Sequence, residues 1–225
     1  MKKKLDRIFD VLKGYISNEN DKRVFNHIVS VTKFAEKRAK DNNLNKEITE
    51  LATEAASVHD IGKFHNIVDM ILNEKLLSVF HGLIGGYFIK NYDNSLTGLL
   101  KNRESVSKII ACHIPFFIKE NEILECMNGP LPYWDIKHRK EYSLDGSSKK
   151  LIIPVLSENE KIAAQILIAS DNCVVEDKYV GIEKRLEYIF ERYGDRFNEA
   201  GKEIYVERVK SIIGKYPMRN EGATK

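Results

Sequence analysis

Cysteine is scarce in this 225-residue sequence: there are three, an odd number with no repeated spacing. That suits a reducing compartment better than a disulfide framework. No run approaches the roughly 18–20 apolar residues that a membrane helix needs. MKKK at the start looks like the first part of a signal peptide, but Leu5, Asp6, Arg7, Ile8, Phe9 and Asp10 follow it, so no apolar segment completes the signal. The expectation is a soluble cytoplasmic protein with no membrane partner. Neither sign of charge prevails: 36 Lys and Arg against 33 Asp and Glu leave a formal charge of +3. So mild a balance gives little reason to expect a nucleic-acid partner. Internal repeats and low-complexity tracts are lacking too. What is present is 43% hydrophobic and 31% charged residues, enough for a substantial core in one domain over 1–225.

Most of the chain reads as helix. Leu5, Ile8, Phe9 and Leu12, followed by Gly14, mark a short first helix. Over 21–43, Val24, Ile28, Val31, Phe34, Ala35 and Arg38 recur at spacings of three and four, which predicts a long amphipathic one. Residues 47–61 predict a third helix with a small-residue face of Ala52, Ala55 and Ala56, ended by Gly62. SVFHGLIGGYFIKNY predicts a fourth, with Ser78 as its N-cap. Its glycines at 85 and 86 fit only if a neighbour packs closely. ESVSKIIACHI is a fifth, stopped by Pro115. Between about 128 and 156 the pattern breaks, with NGPLPYW, a DG turn and Pro154 predicting a small β-hairpin or irregular insertion. EKIAAQILIASDNCVV returns to a nearly all-apolar helix, expected to be central, and 182–213 to a charged amphipathic tail. The expected fold class is all-α, a helical bundle with one insertion.

Six ionisable residues interrupt these apolar faces: His27, His59, Asp60, His81, His113 and Asp171. A single histidine in a helix is more often a hydrogen-bonded core residue than a ligand. Asp171 follows QILIAS, and a carboxylate in such a helix needs a partner because an unpaired buried charge is very costly. Metal coordination satisfies all six at once if the helices converge, with neutral imidazoles as donors and carboxylates cancelling cation charge. Thiolates have no necessary place in the set, which argues against a structural zinc site. Imidazole with carboxylate suits Fe, Mn, Co, Ni or Zn. Six ligands are too many for one cation that keeps a position open for water, and suit two cations bridged by a carboxylate. Cys112 and Cys173, beside His113 and near Asp171, read as small buried hydrophobes.

The motifs resemble the HD superfamily of metal-dependent phosphohydrolases. The pattern H…HD…H…H…D is carried by His27, HDIGK at 59–63, HGLIGG at 81–86, ACH at 111–113 and ASD at 169–171. The likeness covers about 20–180, the expected catalytic core. It implies an HD-type helical bundle in which His27, His59, Asp60 and Asp171 hold one metal. In binuclear members, His81 and His113 hold a second, with Asp60 as the bridge. Divalent cations are implied, two of them, with Fe or Mn favoured and Zn, Co, Ni and Mg also open. Arg23, one turn before His27, matches an Arg-x-x-x-His feature of the branch similar to bacterial diadenosine tetraphosphate hydrolases. Lys63 matches the lysine that follows the HD pair.

Departures from the pattern bear on the substrate. After His113 come Ile114, Pro115, Phe116 and Phe117, unlike cyclic-di-GMP phosphodiesterases. The 128–156 insertion is longer than the diadenosine tetraphosphate hydrolase pattern leads one to expect, and it contains Trp134, His138 and Arg139. The expected activity is hydrolysis of a phosphate ester or phosphoanhydride in a small phosphorylated molecule, a nucleotide or dinucleotide, by metal-activated water. Asp60 and Lys63 are the candidate catalytic residues, and Arg23, Lys63 and His138 the candidate substrate contacts. Lys63 also reads as an ordinary cation at a helix end, Arg23 as a structural ion pair, and His65 as a surface residue. A di-iron oxygenase of the same fold and a non-catalytic signalling or scaffold module are the competing classes.

Overall fold

A computed structural model describes residues 1–71, 81–92, 94–113, 141–143, 150–152, 154–193 and 199–219. Their architecture is a helical bundle. In chain order the helices are α1 (Lys2–Lys13), α2 (Glu19–Asp41), α3 (Lys46–Ala56), α4 (His65–Ile71), α5 (His81–Asn91), α6 (Arg103–Ala111), α7 (Glu158–Asp171), α8 (Gly181–Tyr193) and α9 (Glu199–Lys215). Short 3-10 turns lie at Ile61–Lys63 and Thr97–Leu99. Within the 128–156 insertion, β1 (Glu141–Ser143) and β2 (Lys150–Ile152) pair antiparallel, with Tyr142 opposite Leu151. A second two-stranded ribbon, β3 (Val174–Val175) with β4 (Lys178–Tyr179), follows α7.

Helices α2, α3 and α7 start where short polar side chains satisfy free N–H groups. Asn18 Oδ1 accepts from Asp21 N–H at 2.9 Å and Asn45 Oδ1 from Ile48 N–H at 2.9 Å. Ser157 and Glu160 cap α7 reciprocally. Helix α7 is the centre of the bundle, packed against α2, α3, α6 and α9, and Ala163, Ala164, Ile166, Leu167, Ile168 and Ala169 are all buried. The small face of α3, Ala52, Ala55 and Ala56, is buried too, and α3 packs against α2, α6 and α7.

Three element boundaries differ from the sequence reading. The third helix stops at Ala56, so His59 and Asp60 stand in a turn and not on a helix. Side chains claim the carbonyls that would continue it: Ser57 Oγ donates to Glu54 at 2.7 Å, and His59 Nδ1 to Ala56 at 2.9 Å. The apolar run after Asp171 leaves the helix, with β-branched Val174 and Val175 in β3 and Glu176 at φ +52° in the reversal. The C-terminal tail is two helices, α8 and α9. Ser78, Pro115, Tyr133, Trp134, His138 and the DG turn lie outside the described residues.

Close packing explains the glycines of α5. A Cβ on Gly82 would lie 2.6 Å from the Ile110 carbonyl and 3.0 Å from the His113 ring, and one on Gly86 would lie 2.7 Å from the Ser107 carbonyl. Helices α5 and α6 therefore approach almost backbone to backbone. Gly62 plays the same part for the HDIGK turn, since its Cβ would come 2.0 Å from the His81 carbonyl.

Candidate metal centre

Five parts of the fold deliver the six candidate ligands. His27 comes from the middle of α2, His59 and Asp60 from the turn after α3, and His81 from the first residue of α5. His113 lies two residues past the end of α6, and Asp171 is the last residue of α7. His27, His59, Asp60 and His113 are buried. The side chains of His81 and Asp171 keep 12% and 15% exposure, so the centre opens to solvent on their side.

Backbone carbonyls set the direction of three imidazoles. His27 Nδ1 is 3.1 Å from the Glu176 carbonyl, His59 Nδ1 is 2.9 Å from that of Ala56, and His113 Nδ1 contacts that of Ile110. A carbonyl only accepts, so each Nδ1 carries the hydrogen, and in the neutral ring each Nε2 is left with a lone pair. All three Nε2 atoms converge on Asp60. Its Oδ2 lies 3.5 Å from His59 Nε2 and 3.8 Å from His27 Nε2. Its Oδ1 lies 2.9 Å from His81 Nε2 and 3.7 Å from His113 Nε2. The two oxygens of one carboxylate thus divide between two pairs of imidazoles. Asp171 Oδ1 joins the first pair, 2.8 Å from His27 Nε2 and 4.0 Å from His59 Nε2.

The arrangement is short of positive charge at its middle. His59 Nε2 and Asp60 Oδ1 are buried without a hydrogen-bond partner among the described residues, a costly condition for polar atoms. His27 Nε2 faces a carboxylate oxygen, and His81 Nε2 faces His113 Nε2 at 2.9 Å. A lone pair set against a carboxylate or a second ring nitrogen calls for a proton or a cation between them. Within each of the sets His27/His59/Asp60 and Asp60/His81/His113, the donor atoms lie within 4.8 Å of one another. That is close to the span one cation bridges with bonds of about 2.0–2.2 Å. The donors fit two cations sharing Asp60, and imidazole with carboxylate is chemistry that first-row divalent metals accept.

Protonation states agree with ligand duty. Burial lowers His59 to about 3, and burial with the nearby Lys63 charge lowers His81 to about 4, so both rings are neutral at pH 7. For Asp60, burial pushes upward, but Lys63 and the surrounding histidines hold the carboxyl well below the usual range. Asp171 is lowered likewise: burial opposes, but the adjoining His27 and the Arg185 charge outweigh it.

Among the expected substrate contacts, Lys63 Nζ lies 2.7 Å from Asp60 Oδ2 and is 30% exposed. Arg23 is exposed on α2, one turn before His27, and no interaction engages it among the described residues. His138 lies outside them. His65 is exposed, as expected, and its N–H donates to Asp21 Oδ1 at 3.2 Å. Cys112 and Cys173 are buried, and burial raises the Cys112 thiol to about 12. Sequence reasoning missed Arg185, whose Nη2 is 3.3 Å from Asp171 Oδ1. The available signal was a basic residue beside the apolar stripe Ile182, Leu186 and Ile189. It also missed Tyr205, whose hydroxyl donates to Asn172 Oδ1 at 2.6 Å, next to Asp171.

No curated protein matches the chain. The HD domain family matches residues 24–172, a span that contains all six candidate ligands and well over half of the chain. This protein belongs to the HD domain family.

Proposed function

We propose that the protein hydrolyses a phosphate ester or phosphoanhydride bond in a nucleotide or dinucleotide. The observation that carries this is the division of the two Asp60 oxygens between two histidine pairs, the donor set of a two-cation hydrolytic centre. Divalent cations there, Fe or Mn favoured, would supply charge to offset the phosphoryl oxygens and lower the pKa of a bound water.

The chain's own residues set up the rest. His27, His59 and Asp171 hold one position, His81 and His113 the other, and Asp60 joins them. The four histidines come from separate elements, so packing of the bundle fixes their geometry in advance, which lowers the reorganisation needed at reaction. Lys63 keeps Asp60 ionised and is near enough to neutralise a phosphoryl oxygen as a point charge. Arg23, exposed one turn before His27 on α2, and His138 are substrate contacts in this reading. The catalytic core spans about 20–180 within one domain over 1–225, and the cellular site is the cytoplasm.

The test is a phosphate-release screen over nucleotides, dinucleoside polyphosphates, cyclic dinucleotides and simple monoesters, with Mn, Fe(II), Co, Ni, Zn and Mg, on wild type and Asp60→Ala. Metal-dependent release by the wild type, lost in Asp60→Ala, supports the reading. Release without oxygen or reductant separates hydrolysis from oxidative cleavage on the same donors. Activity indifferent to Asp60→Ala refutes the site.

A further inference from the structure

Arg185 lies beyond the family match at 24–172, yet the fold brings it to the centre by a short route. Helix α7 ends at Asp171, and the β3–β4 ribbon reverses the chain at once. Val180 N–H and Gly181 N–H both donate to the Cys173 carbonyl, at 2.8 and 3.3 Å, so α8 begins beside the end of α7. Arg185 sits in the second turn of α8, next to buried Leu186 and near buried Ile189. Desolvating a guanidinium in such company is costly unless its charge and donors are used.

A guanidinium offers five N–H donors in a rigid fork. In Arg185, Nη2 faces Asp171, and the Tyr188 ring lies 5.6 Å from Cζ, a cation–π contact that holds the group in place. Its Nε–H is buried and has no hydrogen-bond partner among the described residues. The pair is not sealed, since the Arg185 side chain keeps 12% exposure beside Asp171. Charge compensation for Asp171 is the simpler role, but one N–H serves that purpose. It gives no account of a further donor held dry beside a centre short of positive charge.

We propose that Arg185 anchors a phosphoryl oxygen of the substrate, its guanidinium bridging Asp171 and that oxygen. This rests on the phosphate-hydrolase reading and deepens it. Lys63 on Asp60 and Arg185 on Asp171 then place one cation on each carboxylate of the centre, and a dianionic phosphoryl group is the ligand such a frame recognises.

The probe is inorganic phosphate, titrated calorimetrically into the full chain loaded with Mn²⁺, for wild type, Arg185→Gln and Arg185→Lys. Bound Mn and the unfolding midpoint are measured alongside. Arg185→Gln is expected to keep wild-type Mn content and binds phosphate about tenfold or more weakly, the loss of a charge-assisted hydrogen bond. Arg185→Lys recovers part of the affinity, having the charge without the fork. Unchanged phosphate affinity in Arg185→Gln overturns the proposal, as does lost Mn with unchanged phosphate affinity per loaded site. Should the Gln variant not fold, Arg185→Lys decides: weaker phosphate binding at wild-type Mn content supports the anchor, and equal binding overturns it. The hydrolase reading fails separately. A wild type that binds phosphate through Arg185 but cleaves no substrate keeps the anchor and loses hydrolysis. One that cleaves, with Arg185→Gln binding phosphate as tightly as wild type, does the reverse.

Discussion

At His59 and His81, burial keeps both rings neutral, the state in which an imidazole can hold a cation. The two rings titrate at about 3 and about 4, against about 6.5 for histidine in an unfolded chain. Between those values the unfolded chain binds protons that the folded one does not. Their contribution to stability is therefore complete above about pH 6.5 and is lost as pH falls toward the folded values. In chelator, the melting temperature should hold steady from pH 8 to 7 and decline from 6.5 to 4.5. A flat profile over that window would contradict the buried, neutral state of both rings. Asp60 and Asp171, lowered as they are, add a further loss below about pH 4. Glu54 offers a second check. Its buried carboxylate pairs with Lys4 and accepts the Lys101 N–H at 3.1 Å, tying α1 and the turn before α6 to α3. Removing half of that arrangement by Lys4→Ala should cost about 1–2 kcal/mol, read by denaturant unfolding.

Among the elements, α5 and the HDIGK turn bear most directly on the centre. Gly82→Ala pushes a methyl against both the Ile110 carbonyl and the His113 ring. It should destabilise by about 1–3 kcal/mol and weaken metal binding together, checked by thermal unfolding and Mn titration on the same sample. An alanine as stable as the wild type would show that α5 and α6 are not so closely packed. Helices α1, α2, α5, α6 and α7 were legible in sequence because apolar residues at spacings of three and four survive into the core. The end of α3 was not. AASVHD keeps a helical pattern, and only the bonds from Ser57 and His59 to backbone carbonyls stop the helix there. The β3–β4 ribbon was missed for a like reason: Val174 and Val175 prolong an apolar run, and the reversal at Glu176 uses a non-glycine residue in left-handed conformation.

For the molecule as a whole, the list of candidate ligands could be read from the sequence while its geometry could not. Residue types and motif order named six candidate ligands, and the fold brings them together. How the Asp60 oxygens divide, and that Arg185 reaches Asp171 and Tyr205 its neighbour Asn172 from α8 and α9, depend on contacts far apart in the chain. Tyr205→Phe, which deletes the bond to Asn172, should cost about 1 kcal/mol in denaturant unfolding while sparing the ligands themselves. The central claim is that this bundle holds two cations through a shared Asp60, and metal content per chain tests it most directly. Wild-type protein and Asp60→Ala, each loaded with Mn²⁺ or Fe(II) and desalted, are compared by elemental analysis. Two cations per wild-type chain and at most one in Asp60→Ala are the predicted result. A wild type that retains no divalent cation, or an Asp60→Ala chain that retains two, would contradict it.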